Sequence, residues 1–492
     1  MKQNKSNRKV NTSISAVLKS NFSVFLLLLV TGILLYGNVL RGDFLSLDDY
    51  SNYFESTSIN NVSIALRTLN IYVIINSVLT SIFGTNSVIY HLLSLVIHII
   101  NSYILFLIAK TIFNRKVAAV SSMLFLIHPG NSEVVSWLSA HVYLYVALFS
   151  LTTLFLFVKF KESNNKRYLV LSIIFYILGV VFIRAPWILI IPPILFAVDI
   201  FIYEKSINFQ VLKKLTYHVV FISIALIFIL FVLPNQFSYR IEDTNEYYVG
   251  VNTPARVLSV GRNIQRSFSL LMFPLKLSIV FNYYSGSAQD NFNIFISYIL
   301  LLGILYFAHK HDRKVFGLLV CMYLAILPLL SPINISVNMA ERYYYLSIAF
   351  FSLIIGYFVF LLVTKVSSKN VKNVYSLLVM LFVILFMRTF IRTFDWQSDA
   401  TIWNAASQIN KNNYIVYFEL GNQHLEKDEL KEALENYNKA LELRPKYPEV
   451  YYNAGLVYVR ANQLDSAKES FRKALEISPN LDSAKKALEI LN

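Results

Sequence analysis

Long apolar runs dominate this chain, and short polar or basic loops separate them. A helix needs about 20 apolar residues to cross a bilayer, and fewer when it is a short segment inside a bundle. The stretch Ile71–Phe83 is apolar but short and interrupted by polar residues, so it is predicted to be an interfacial or re-entrant helix. The pattern predicts eleven membrane-spanning helices: Phe22–Leu40, Val88–Ile108, Val117–Ile127, Val142–Val158, Tyr168–Ile183, Trp187–Phe201, Leu215–Leu233, Ile294–Phe307, Val315–Leu330, Tyr345–Leu362 and Val374–Phe390.

A different pattern begins near Asn413. Small, aromatic and proline residues recur there at a spacing of 34, the period of tetratricopeptide repeats. A helical tail, Asp482–Leu491, is typical of the capping helix that such a solenoid needs. The matching pairs are Gly421 and Gly455, Ala433 and Ala467, Tyr437 and Phe471, Ala440 and Ala474, and Pro445 and Pro479.

These patterns together predict an all-α protein with a polytopic transmembrane helical bundle and a C-terminal α-solenoid. Residues 1–391 form the transmembrane domain, 392–412 a connector, and 413–492 two tetratricopeptide repeats with a capping helix. The repeats would offer a concave face to a partner protein or an extended peptide, or would serve as a spacer or dimerisation module.

Composition agrees with a membrane protein and narrows its partners. Apolar residues make up 56% of the chain and charged residues 15%, with a mean hydropathy of +0.53. The net charge of +15 resides mostly in short loops between spans, which is a topology signal and argues against a nucleic-acid partner. We therefore expect a multi-pass plasma-membrane protein with a cytoplasmic N-terminus. An odd number of crossings would place the C-terminus outside.

The most prominent candidate site is an acidic pair, Asp48-Asp49, just after the first span. Carboxylates beside a bilayer are costly to desolvate, so such a pair predicts a functional site. The alternative is structural, because aspartate also favours the N-cap position of a helix, and Asp48 would then cap the helix that follows.

Several segments, taken in order, resemble the TMTC-type membrane O-mannosyltransferases, a branch of the GT-C glycosyltransferases with tetratricopeptide repeats. The resemblance covers essentially the whole chain. It implies inverting transfer of a hexose, with mannose as the first candidate, from a polyprenyl-phosphate carrier to an external protein Ser/Thr hydroxyl or glycan. The segments that carry it are Asp48-Asp49, Tyr90 to His98, His128 to Trp137, Phe273 to Leu277 and Met339 to Leu346.

The resemblance also implies roles for residues on the outer side. Asp48 would be the general base, with Asp49 orienting it or the acceptor. Arginines would receive the leaving phosphate, although Arg342 could instead pair with Glu341 or a lipid headgroup, and Arg262 and Arg266 could anchor an interfacial helix. The predicted phosphate-binding residues are Arg342, Arg262, Arg266 and Arg67, and the supporting residues are His91, His98, His128, Glu133 and Glu341.

A metal site would require help from elsewhere in the chain. His91 and His98 are seven residues apart and share one face of the second span, but they would need a carboxylate such as that of Glu133. Hydrogen bonding to a neighbouring helix is the other interpretation. The single cysteine, Cys321, provides no Cys/His metal motif. No cofactor is firmly implied.

Three other functions remain open from sequence. Within the same enzyme class, the chain could be a glycan ligase or polymerase that uses a diphosphate-linked donor. From a different class, it could be a non-catalytic membrane scaffold whose repeats recruit partners. A transporter fits less well, because spans four to seven carry no carboxylate at mid-depth, only Asp199 near an inner end.

Overall fold

The computed structural model describes residues 20–46, 48, 49, 53, 56–183, 185–204, 216–231, 253–281, 287–330 and 340–491, and for 253–259 and 330 only the backbone. Every regular element within these residues is helical, with no strand among them. The predicted all-α class is therefore confirmed. Residues 1–19, which include the N-terminus predicted to be cytoplasmic, lie outside the described residues.

The chain divides into two compact units, Met1–Leu275 with Gly286–Phe394, and Lys276–Ser285 with Asp395–Asn492. The α-helices of the first unit are α1 (Asn21–Tyr36), α2 (Val62–Thr68), α3 (Ile71–Phe83), α4 (Ser87–Ile112), α5 (Arg115–Ile127), α6 (Ser132–Ser136), α7 (His141–Ser163), α8 (Lys166–Ile183), α9 (Ile191–Val198), α10 (Tyr217–Phe231), α11 (Thr253–Met272), α12 (Ala288–His311), α13 (Arg313–Leu324), α14 (Tyr345–Lys365) and α15 (Ser368–Asp395). Short 3₁₀ helices occur at Gly37–Arg41, Pro129–Asn131, Leu138–Ala140, Pro186–Ile190, Leu327–Leu330 and Glu341–Tyr344, and a π-helical turn at Asp199–Tyr203.

The transmembrane bundle predicted from the apolar runs is present. Three predicted spans, Val117–Ile127, Leu215–Leu233 and Val315–Leu330, correspond to α5, α10 and α13, whose described lengths of 13, 15 and 12 residues are below the roughly 20 that a straight crossing needs. The stretch predicted as a short interfacial or re-entrant helix is α3. Within the described residues, eight helical segments are long and apolar enough to cross a membrane: Asn21–Arg41, Ser87–Ile112, Leu138–Ser163, Lys166–Ile183, Pro186–Tyr203, Ala288–His311, Glu341–Lys365 and Ser368–Asp395.

The core of the first unit forms where α4, α5, α7 and α14 pack together. Gly356 of α14 approaches α5 so closely that a Cβ atom would overlap Ser121 and the carbonyl of Val117. Small residues allow such contact between membrane helices, and polar side chains then bond across them. His98 of α4 does so, with Nδ1 2.6 Å from the hydroxyl of Tyr345. These contacts fix α14 against α4 and α5.

An ionic cluster joins three elements at the C-terminal end of α7. The carboxylate of Asp199 is fully buried, with Oδ1 2.5 Å from Nζ of Lys161. Its Oδ2 lies 3.1 Å from Nε2 of His218 and accepts a hydrogen bond from the Tyr217 hydroxyl. Oε1 of Glu204 lies 3.6 Å from Nζ of the same lysine. The cluster thus ties α7 to the π-helical turn and to α10.

The second unit contains the repeats. The inter-helix contacts are close because Gly421 faces the ring of Tyr437, and Gly455 faces that of Phe471. A residue with positive φ, Asp428 or Asn462, forms the turn inside each repeat, again at a spacing of 34. The predicted tetratricopeptide architecture is confirmed. The helices of the second unit are α16 (Asp399–Ile409), α17 (Tyr414–Glu426), α18 (Leu430–Leu443), α19 (Pro448–Arg460), α20 (Leu464–Ile477) and α21 (Asp482–Leu491).

The second unit also includes Lys276–Ser285, a segment that lies more than a hundred residues earlier in the chain. Asn410, at the end of α16, donates from Nδ2 to the Ser278 hydroxyl at 2.6 Å and to the Val280 carbonyl at 2.8 Å. One amide therefore holds this segment beside the repeats. The sequence pattern did not predict this contact.

Candidate active site

The two aspartates of the acidic pair have different environments. Asp49 is buried, and its carboxylate accepts hydrogen bonds from the backbone N–H of Leu45 at 2.9 Å and of Ser139 at 2.8 Å, and from the Ser139 hydroxyl. Asp48 is exposed. Asp49 therefore anchors the loop to the chain just before α7, and Asp48 presents its carboxylate at the surface.

Burial changes the acidity of the anchoring residue. It raises the pKa of Asp49 to about 6, although the hydrogen bonds from Ser139 and Leu45 act in the opposite direction. The raised pKa means that desolvation outweighs the three donors. The anchor is therefore a carboxyl group that titrates just below neutral pH.

A buried ion pair forms the second part of the site. Oε1 of Glu133 lies 2.5 Å from Nη1 of Arg342, and Oε2 accepts from the backbone N–H groups of Glu341 and Arg342 at 3.0 and 3.3 Å. The guanidinium carbon of Arg342 lies 4.9 Å from the ring centroids of both Trp137 and Tyr343. One carboxylate and two aromatic rings therefore fix the orientation of this arginine.

Glu341, the neighbour that the sequence offered as a partner for Arg342, lies instead near Arg392. Its Oε1 is 3.8 Å from Nη2 of Arg392, and both side chains are fully buried. Arg266 and Arg262 of α11 belong to the same cluster: burial lowers the pKa of Arg266, the charge of Glu341 opposes this, and that of Arg262 adds to it. Glu341 thus sits among several arginines.

The Glu133–Arg342 pair and the arginines around Glu341 together form a region with excess positive charge. Its six side chains are the four arginines at 262, 266, 342 and 392 and the two glutamates at 133 and 341, which gives a net charge of +2. Half-buried cations have a stronger field than solvated ones because the local dielectric is lower. An anion with two negative charges would match this region.

A short stretch of chain connects the acidic and basic parts. Ser139 binds Asp49, and two residues earlier Trp137 stacks on Arg342. Glu133 lies one turn before that, in α6. The segment from Glu133 to Ser139 therefore contacts both Asp49, the neighbour of the predicted base Asp48, and Arg342, a predicted phosphate-binding residue.

The remaining candidates occupy other places. His98 uses Nδ1 for the Tyr345 hydroxyl and Nε2 for the Leu126 carbonyl at 3.1 Å. His128 accepts from the Gly130 N–H at Nδ1 and donates from Nε2 to the Leu271 carbonyl. His91 is buried in α4, whereas Arg67 is exposed at the end of α2. The described histidines, cysteine and carboxylates include no group of three that could hold a metal ion.

The sequence analysis did not identify two residues of the site, Ser139 and Arg392. Ser139 anchors Asp49 across 90 positions, and no local pattern indicates such a contact. Arg392 could have been found, because an arginine that ends a long apolar helix needs a counter-charge. Its counter-charge is Glu341, 51 positions away in the chain.

Comparison with known proteins gives matches over both units. The family profile for dolichyl-phosphate-mannose-protein mannosyltransferases matches residues 71–234. Two tetratricopeptide-repeat profiles match residues 421–462 and 448–481. The human protein O-mannosyl-transferase TMTC3 is 23% identical over 393 residues, which cover 72% of this chain and 42% of that protein. The chain thus spans less than half the length of this relative.

Two solved structures of the Archaeoglobus fulgidus oligosaccharyltransferase are also similar. The apo form shares 12% identity with a TM-score of 0.43, over 76% of this chain and 56% of that one. The form tethered to an acceptor peptide shares 14% identity with a TM-score of 0.45, over 96% and 72%. The mannosyltransferase profile, the two repeat profiles and the human relative agree with the resemblance seen in the sequence motifs: the chain is similar to TMTC-type proteins, which carry C-terminal tetratricopeptide repeats.

Proposed function

We propose that this protein is a membrane glycosyltransferase that moves a hexose, with mannose as the first candidate, from a polyprenyl monophosphate to a hydroxyl of a protein or glycan. The observation that carries the proposal is that the two aspartates of the acidic pair have different environments. Asp49 is buried against Ser139, and its neighbour Asp48 is exposed; the segment that holds Asp49 through Ser139 also contacts Arg342 through Trp137. A base and a phosphate-binding cation are thereby supported by the same short stretch of chain.

The reaction follows from these groups. Asp48 accepts the proton of the acceptor hydroxyl, and the acceptor oxygen attacks the anomeric carbon of the sugar. The bond between that carbon and the phosphate oxygen breaks, with inversion, and polyprenyl phosphate leaves. The phosphate changes from a singly charged diester to a monoester of up to two negative charges. The +2 surplus around Arg342 favours this increase in charge.

Asp49 and Glu133 act through other residues in this scheme. Asp49 positions the loop of Asp48, and Glu133 positions Arg342 through its ion pair and the two backbone N–H contacts. Arg262 and Arg266 add positive charge beside Glu341. We assign no step to Arg67, whose side chain is exposed at the end of α2.

The arrangement in the cell is part of the proposal. Residues 1–391 would be the catalytic domain in the plasma membrane, with the N-terminus in the cytoplasm and Asp48 outside. The connector 392–412 would lead to the repeats of 413–492 on the same outer side, where they would bind the acceptor or a partner protein. The basic loop at 309–314 supports this orientation through the positive-inside rule.

The test is sugar transfer from radiolabelled polyprenyl-phosphate mannose in membranes that contain wild-type protein or Asp48→Asn. Loss of a general base is expected to lower the transfer rate by about 10²- to 10⁴-fold. Asp43→Asn is the matched control, because Asp43 is an exposed acid in the same loop and is given no role. Equal expression and equal melting temperatures would assign the loss to chemistry.

Three results would overturn the proposal. If Asp48→Asn transfers label as fast as wild type, then Asp48 is not the base. If wild type transfers no label from the monophosphate donor but does so from a diphosphate-linked donor, then the protein is a glycan ligase or polymerase instead. Transfer from neither donor by a folded protein favours a scaffold.

A further inference from the structure

The hydroxyl of Tyr53 joins the acidic segment to two other parts of the bundle. The acidic segment is residues 44–53, of which the structure describes 44–46, 48, 49 and 53. The hydroxyl donates to the carbonyl of Leu138 at 3.2 Å, and it accepts from the Tyr72 hydroxyl at 3.4 Å and from Nδ2 of Asn76 at 3.3 Å. Tyr72 and Asn76 lie about one turn apart on α3. Tyr53 is only 3% exposed, so these bonds are shielded from water.

The carbonyl of Leu138 belongs to the same peptide unit that binds Asp49. The nitrogen of this unit is that of Ser139, whose N–H donates to Oδ1 of Asp49 at 2.8 Å. The unit is planar and trans, so its C=O and N–H point in opposite directions. Tyr53 and Asp49 therefore hold one rigid peptide group from opposite sides, and the Ser139 hydroxyl adds a further bond to Asp49.

Aromatic packing brings the two ends of the acidic segment together. The rings of Phe44 and Tyr53 have centroids 5.3 Å apart, and both contact the ring of Tyr90 on α4, at 5.5 and 5.2 Å. Aromatic rings prefer edge-on and tilted contacts of this kind. Asp48 and Asp49 thus lie, along the chain, between two residues that pack on the same side chain of α4.

Tyr72 is also close to the two carboxylates. Burial raises the pKa of Tyr72, although the hydrogen bond with Tyr53 acts in the opposite direction. The charges of Asp49 and Asp48 raise it further. Because the interaction between charges weakens with their separation, this effect requires proximity. The donor to the Tyr53 hydroxyl therefore lies beside the acidic pair.

These contacts constrain the position of Asp48. Its neighbour Asp49 provides one anchor, and Tyr53 at the end of the segment provides the other. A segment held at one point can rotate about it, whereas two anchors on opposite sides of a peptide group define its orientation. Orientation matters for a general base, because a misplacement of about 1 Å can lower the rate by about 10²-fold.

We infer that Tyr53 is a positioning residue for the proposed base, Asp48. Its hydroxyl connects α3 to the carbonyl of Leu138 and thereby fixes the acidic segment in the orientation that transfer requires. The inference rests on the proposed function and adds a residue that acts through Asp48. Tyr53 has no contact with donor or acceptor in this scheme, so its loss should change turnover and leave donor binding unchanged.

The test measures kcat and KM for polyprenyl-phosphate mannose in membranes that contain wild type or Tyr53→Phe, which removes only the hydroxyl, with rates normalised to folded protein. We expect kcat to fall by about 10- to 100-fold and KM to stay within about twofold of wild type, because Asp48 is displaced while the phosphate site at Arg342 is intact. The decrease of kcat at low pH, where the base becomes protonated, should persist in Tyr53→Phe. It should be absent from the residual activity of Asp48→Asn.

Tyr306→Phe is the matched control, since Tyr306 is an exposed tyrosine of α12 and the loss of its hydroxyl should change neither constant. If Tyr53→Phe does not fold, the double variant Tyr72→Phe with Asn76→Leu frees the same hydroxyl from α3 and should lower kcat by at least about tenfold at unchanged KM.

A decrease in kcat of less than about tenfold in a folded variant would overturn the inference. So would an increase in KM as large as the decrease in kcat, because it would indicate general loosening of the site. Absence of transfer by wild type, or transfer by Asp48→Asn at the wild-type rate, would instead overturn the proposed function.

Discussion

Two buried ion pairs that differ in charge balance lie near the two ends of α7. At the C-terminal end, Asp199 is surrounded by Lys161, His218 and Tyr217, so one carboxylate is met by three partners. At the N-terminal end, Arg342 pairs with Glu133 in a region that has two more positive than negative charges. The first arrangement is self-contained. The second retains a field that an anion can complete.

This difference in charge balance separates residues that stabilise the helix bundle from residues that bind a ligand. A buried pair whose charges are offset on several sides contributes mainly to holding its helices in place. A pair embedded in an excess of one charge can bind a ligand of the opposite sign. Substitutions at the two ends should therefore change different observables: stability at the Asp199 end and transfer at the Arg342 end.

The largest expected effect is on stability at the Asp199 end. Asp199→Leu leaves Lys161 and His218 without their shared carboxylate, and breaking a buried pair costs about 3–5 kcal/mol. Thermal unfolding of purified protein in detergent measures this loss. Glu204→Gln, at the half-buried edge of the cluster, should change stability by less than about 1 kcal/mol. A change in transfer rate per folded molecule in Asp199→Leu would contradict the division between the two ends.

A comparable effect, but on activity, is expected for Arg342→Gln. Loss of a fixed cation at the leaving phosphate should lower the transfer rate by about 10²- to 10³-fold. Because Glu133 would then be buried without its partner, the double variant Glu133→Gln with Arg342→Gln should recover stability but not activity. Activity within tenfold of wild type in the single variant would remove Arg342 from the proposed site.

The pH dependence of stability should reveal the Asp49 anchor. Its pKa is raised to about 6 when folded, so the folded state holds the proton to higher pH than the unfolded chain does. This contribution is complete below about pH 4 and is lost as the pH rises through about 6. We expect it to change the unfolding free energy by about 3 kcal/mol, since each pKa unit corresponds to about 1.4 kcal/mol. Melting curves between pH 4 and 7 should show it in wild type and Asp43→Asn, whereas Asp49→Asn should show a flatter profile.

The smallest expected effect is at Arg266. This arginine shares its region with Arg262 and Arg392, so Arg266→Gln should lower transfer only about tenfold, which is about 1.4 kcal/mol. Arg167→Gln, an exposed arginine at the start of α8, is the control and should have no effect. A loss as large as that of Arg342→Gln would mean that Arg266 is itself the main phosphate contact.

Much of the fold was accessible from sequence because it depends on local periodicity. The apolar runs predicted the helices of the bundle, and the recurrence from Gly421 to Gly455 predicted the repeats. The short third span, predicted as Val117–Ile127, corresponds to α5, whereas the early end of α13 was less visible, since an apolar run does not reveal where a helix ends.

The site was less accessible, because its contacts connect distant positions. Glu133 and Arg342 are 209 positions apart, and Asp49 and Ser139 are 90 apart. The sequence named both acids of the Asp48-Asp49 pair, but adjacency cannot show which one is buried. The sequence placed Glu341 beside Arg342, yet helix geometry directs the two side chains to different partners.

The fixed orientation of the Arg342 side chain also has a thermodynamic consequence. An arginine side chain normally gives up about 2 kcal/mol of rotamer freedom when it is fixed. Here Glu133, Trp137 and Tyr343 immobilise the guanidinium during folding. An arriving anion therefore meets a cation that has already lost its conformational entropy. Its capture should consequently have a smaller entropic penalty than capture by a flexible surface arginine, a difference that calorimetry of phosphate-ester binding would register.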